Sequence, residues 1–67
     1  MDRQPQKISD EVFEQILAVR NTGEANMFDI RAVMRVAYDH DLYELVTFLD
    51  DRKHRDIYYQ LLLFGKR

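Results

Sequence analysis

Two histidines sit among carboxylates, and they are the side chains with the most obvious chemical potential in this 67-residue chain. His40 lies between Asp39 and Asp41, while His54 follows Asp50 and Asp51. Imidazole and carboxylate together suit a divalent transition metal. Neighbouring residues on a helix point about 100° apart, however, so neither set converges on one ion without ligands from elsewhere. The expectation is solvated turn charge around surface imidazoles, with no metal and no cofactor. Cysteine is absent, which removes thiolate ligands and thiol nucleophiles. There is no glycine-rich phosphate loop, and Ser9 stands where a helix cap is needed rather than beside a base. The remaining carboxylates are spaced as on any solvated helix surface. The sequence therefore predicts no catalytic residue, no cofactor-binding residue and no small-molecule substrate.

The elements that would position any site can be read from punctuation and period. Met1 to Lys7 is polar, contains the single proline and reads as a disordered leader; residues 8–67 read as one helical domain. In the first segment, Ile8 to Asn21, Ser9 caps and Asp10, Glu11 and Glu14 favour the positive helix end. Ile8 and Phe13 have the spacing of a hydrophobic staple. Val12, Phe13, Ile16 and Leu17 form the apolar stripe, and Gly23 stops the helix. The same grammar recurs at Phe28, Asp29 and Val33, followed by the stripe Ile30, Val33, Met34, Ala37 and Tyr38 of a second helix. Asp39 or Asp41 is positioned to cap a third, whose core face is Leu42, Leu45, Val46 and Leu49 with Phe48 beside it. The charged run from Asp50 to Arg55 is either a turn or a solvated stretch of continuous helix. Asp56 to Phe64 is apolar around more than half its circumference, with Gly65 ending it and Lys66 and Arg67 suiting the negative helix end. The predicted fold class is all-α, a small bundle of three or four short helices.

Charge narrows the partners. Ten Lys and Arg against twelve Asp and Glu give a net charge of −2, unlike a protein held to nucleic acid through its phosphates. A helix-turn-helix remains the alternative, with Arg31, Arg35, Arg52, Lys53 and Arg55 on phosphate. Its would-be recognition helix opposes this, since Asp39 to Asp51 carries five acids and neither Lys nor Arg. No apolar run approaches the roughly 18 residues of a membrane span. Met1 to Pro5 lacks the apolar stretch of a signal peptide, so a cytoplasmic protein is expected.

The final segment carries more apolar surface than so small a domain is expected to hide. Large tyrosines and leucines next to charge are typical of protein interfaces. The expected partner-binding residues are Tyr43, Glu44, Asp50, Asp51, Tyr58, Tyr59, Leu62 and Leu63, with the tyrosines and the last two leucines partly exposed. The partner is a protein, a second copy in a homodimer being one version.

Asn26-Met27-Phe28-Asp29, then Val33, Arg35, Ala37 and Tyr38, then Tyr43-Glu44-Leu45-Val46 and finally Leu62-Leu63 with Gly65, also carry a family resemblance. From about Val12 to Arg67 the chain resembles small proteins, a domain of unknown function, found largely in phages and prophages of Gram-positive bacteria. The resemblance implies no reaction and no cofactor. It implies a phage or mobile-element protein acting in a bacterial cytoplasm. Together with the aromatic-rich last helix and the acidic Asp39–Asp51 flank, the expected function is a non-enzymatic module that binds a protein, with inhibition of a host defence protein such as a CRISPR nuclease as one concrete form. An accessory phage structural or packaging protein is a further alternative.

Overall fold

Ser9 takes an extended conformation (φ −68°, ψ 160°), and its Oγ accepts a hydrogen bond from the Val12 amide at 3.2 Å. From that cap runs α1, Asp10–Thr22. Gly23 closes it at φ 68°, a conformation that costs an L side chain roughly 1–2 kcal/mol. The computed structural model describes residues 8–65, and it continues with α2 (Ile30–Asp39), α3 (Tyr43–Asp50) and α4 (Lys53–Phe64). No strand occurs among the described residues, so the fold is all-α with four helices. The expected leader, Met1 to Lys7, and the expected helix-end pair Lys66 and Arg67 lie outside the described residues.

The loop before α2 is closed by local side chains. Asn26 Oδ1 accepts from the Phe28 amide at 2.9 Å, and Asp29 Oδ1 accepts from the Ala32 amide at 3.2 Å, the expected cap. Phe28 differs from its expected staple role: it is half exposed, and its ring lies parallel to that of Tyr59, 6.2 Å away.

Neither Asp39 nor Asp41 caps α3. Asp41 instead ends α2 in the left-handed region, at φ 63°. The Leu42 amide donates to the Ala37 carbonyl (2.8 Å) and the Asp41 amide to the Tyr38 carbonyl (3.1 Å). These are the two bonds of a Schellman closure, with aspartate where glycine is usual. Leu42 thus becomes the residue before α3 and has no side-chain cap to give. The acceptor comes from α1, where Gln15 Oε1 receives the Leu45 amide at 2.8 Å and Gln15 Nε2 donates to Glu44 Oε1 at 2.7 Å.

The charged run after α3 is a break. Asp51 alone is extended (φ −84°, ψ 115°), and Arg52 has already returned to helical angles. Side chains of α4 then cover the open end of α3. Arg55 Nε donates to the Leu49 carbonyl at 3.0 Å, and the His54 ring stacks on Phe48 with its Nδ1 2.9 Å from the Phe48 carbonyl oxygen. Asp51 Oδ1 accepts the Lys53 amide at 3.0 Å and starts α4 one turn before Asp56.

Helix α3 lies at the centre, packed against α1, α2 and α4, whereas α4 packs among the helices chiefly on α3. Buried Leu45, Phe48 and Leu49 of α3 meet Val12, Ile16 and Val19 of α1 and Val33, Val36 and Ala37 of α2 in one core. Full burial of each leucine contributes about 1.5–3 kcal/mol. The stripe expected for α2 is displaced at its end: Val36 is inside and Tyr38 is 61% exposed.

Candidate interaction site

The helix ends place the eight expected binding residues in two surfaces and one core position. Tyr43, Glu44, Asp50 and Asp51 come together around an open hollow of about 570 Å³, beside Thr47 and His54, with Val12 and Phe48 beneath. Their arrangement follows from α3, which presents Tyr43, Glu44, Thr47 and Asp50 outward while Leu45, Phe48 and Leu49 face in. Tyr43 OH donates to Asp41 Oδ1 at 2.8 Å, and that bond raises the phenol above its ordinary pKa. The Tyr38 ring meets Tyr43 edge-on at 5.6 Å. Glu44 is held below the ordinary carboxylate range, chiefly by the bond from Gln15.

Tyr58 belongs to neither surface. It was expected to be partly exposed, yet it is fully buried and its hydroxyl donates to the Met27 carbonyl at 2.6 Å. The phenol is neutral there, and burial is the first cause of its strongly raised pKa. A long-range backbone acceptor explains the difference: with its hydroxyl satisfied, a tyrosine is as good a core residue as phenylalanine.

The second surface lies between α1 and α4. Leu62 lines a groove of about 460 Å³ with Phe13, Ile16, Leu17, Arg20, Met27, Phe28, Leu61 and Gly65. Tyr59 stands next to it, half buried, its hydroxyl donating to the Phe28 carbonyl at 3.3 Å. Leu63 is 62% exposed and Phe64 69%. Successive positions on a helix diverge by about 100°, so Leu62, Leu63 and Phe64 surround the last turn of α4 with apolar side chains. The buried members of α4, Tyr58 and Leu61, account for only one side of it.

Among the contributors that the sequence does not single out as binding residues are Phe64, Leu17 and Arg20. Phe64 shares the apolar run of its neighbours, so its exposure was within reach of the sequence. Leu17 sat at the edge of the α1 stripe and Arg20 in a polar last turn; their convergence with α4 needs the tertiary fold.

Other chemistry finds little support in the arrangement. Among the described residues, no three His, Asp or Glu side chains gather as a metal site. His40 faces Glu24 at 3.6 Å, and His54 lies 4.0 Å from Asp51, both pairs open to solvent. Helices α2 and α3 are joined by three residues, as a helix-turn-helix requires, but the outward positions of α3 carry no cation. Among the described residues, no helix is long and apolar enough to cross a membrane.

None of the curated proteins and none of the solved structures matches the chain. A family model does, and it spans nearly the whole sequence: over residues 8–66 the chain matches the domain of unknown function DUF5049, and it belongs to that family.

Proposed function

We propose that this domain is a non-enzymatic protein-interaction module that engages its partner through the last turn of α4 and the adjoining groove against α1. The observation that carries this reading is the exposure of Leu63 and Phe64, 62% and 69%, in the same last turn of α4 as Leu62, which lines an apolar groove. Isolated exposed leucines need no explanation, but large apolar side chains left open on more than one side of a helix end whose Leu62 already lines an apolar groove favour an interaction site. The acidic hollow around Tyr43 and Glu44 gives a second face that favours basic partners through electrostatic steering.

The resemblance to phage and prophage proteins supports a setting in the bacterial cytoplasm, where such a module would bind a host or phage protein, or a second copy of itself. Inhibition of a host defence protein is one concrete form of this reading. The acidic outward face of α3 favours a protein partner over duplex DNA, because phosphate repels that face.

The test is parallel capture from a Gram-positive bacterial lysate with the wild-type chain and with the Leu63→Asp/Phe64→Asp variant. Both exposed positions tolerate charge, so the two chains should melt alike. A protein retained by the wild type and lost by the variant supports the reading. Identical retention profiles overturn it.

A further inference from the structure

We infer that the α1–α4 groove takes an amphipathic protein segment whose large apolar anchor stands next to a carboxylate, and that Arg20 reads that carboxylate. The inference rests on the interaction-module reading and adds the chemistry of the partner. The groove floor is apolar, with Ile16 and Leu61 buried and Leu17, Met27 and Leu62 half buried. Among the described residues, Arg20 is the one charged residue lining it. It sits in the last turn of α1, where its charge offsets the negative end of the helix. Its guanidinium has no ion-pair partner among the described residues. Glu24, four residues on, is directed to His40 instead, at 3.6 Å.

An exposed guanidinium at the rim of a mostly apolar groove offers a fork of donors that fits a planar anion. Arginine–carboxylate pairs are frequently bidentate, which fixes orientation as well as adding affinity. The volume, about 460 Å³, lies within the ordinary range for anchoring pockets. Helix-in-groove recognition uses this combination, apolar anchors on one face and a charge at the edge to set direction. A basic segment would place like charge against Arg20 and lose that contact.

The experiment uses the full chain and three synthetic amphipathic peptides of about 14 residues, identical in their Leu and Phe anchors and carrying Glu, Gln or Lys beside them. Affinity is read by fluorescence anisotropy, and the binding surface by amide shift changes around Leu17, Met27 and Leu62. The Glu peptide should bind at least tenfold more tightly than the Lys peptide, and Arg20→Glu should invert that order. Because Arg20 is exposed, this variant should keep its helical signal; Arg20→Gln, which should level the three affinities, provides an independent check. Equal binding of all three peptides by the wild type would overturn the charge rule while leaving the groove as an interaction site. No binding, or shift changes confined to other surfaces, would remove the groove from both readings. A concentration-dependent dimer in sedimentation, dissociated by Arg20→Glu, would make a second copy the occupant and overturn the inference.

Discussion

Gln15, in the middle of α1, caps a helix that begins almost thirty residues later: its side-chain oxygen accepts the Leu45 amide at 2.8 Å. Helix α3 has no capping side chain of its own, so this bond joins the first and third helices through an otherwise open helix end. Gln15→Ala should therefore behave like the loss of an N-cap, costing about 1 kcal/mol. For a domain of this size that lowers the melting temperature by about 4–8 °C. Circular dichroism melting of the two chains checks it, and an unchanged curve would show that water replaces the glutamine.

The other half of the same side chain predicts a titration. Gln15 Nε2 donates to Glu44 and depresses its folded-state pKa below the unfolded value. A depressed carboxylate contributes stability above its unfolded pKa and loses it as pH falls through the folded one. Carboxyl-carbon NMR should place Glu44 below an ordinary glutamate, and Gln15→Ala should return it toward that value. A Glu44 titration indifferent to Gln15 would contradict the assignment.

Tyr58 gives the opposite sign. Its raised folded-state pKa means that its contribution is fully present below the ordinary tyrosine value and is lost as pH rises beyond it. Wild-type stability should fall in that alkaline window, and Tyr58→Phe should flatten this part of the fall. At neutral pH the same substitution should cost roughly 0.5–1.5 kcal/mol for the bond to Met27. Tyr58→Ala should cost about 3–5 kcal/mol, most of the stability of so small a domain. Denaturant melts across pH measure all three.

Asp41 offers a gain rather than a loss. Its left-handed conformation is one that glycine adopts without steric strain. That gain offsets glycine's entropy in the unfolded chain and the exposed bond lost from Tyr43, so Asp41→Gly should hold or raise stability by up to about 1 kcal/mol. Asp41→Val should lower it by 1–2 kcal/mol or more. Thermal melts in which valine equals glycine would mean that the turn has another geometry in solution.

Local features of this fold were legible in the chain, and distant ones were not. Ser9, Asp29, Gly23 and Gly65 act within a few residues of their own position, and each ends or starts the helix its type implies. Asp41 fits two local roles, capping the next helix or closing the last, and only the packed orientation of α3 selects the second. The Gln15 cap and the Tyr58–Met27 bond each join residues some thirty positions apart, so no spacing announces them. The binding surfaces divide in the same way. Leu62 and Leu63 lie in a run too apolar for one small core, and the structure leaves Leu63 exposed. Tyr58, from that same run, lies inside, its hydroxyl on an acceptor in the loop between α1 and α2.

The last turn of α4 is best tested in the cell, by placing a photo-crosslinking amino acid at Leu63 and, as a control on the same helix, at exposed Lys53. A partner seated on the α4 end should give a discrete higher-mass adduct from position 63 and none from position 53. Adducts from position 53 alone, or none from 63 at any expression level, would contradict the assignment of this surface to a partner.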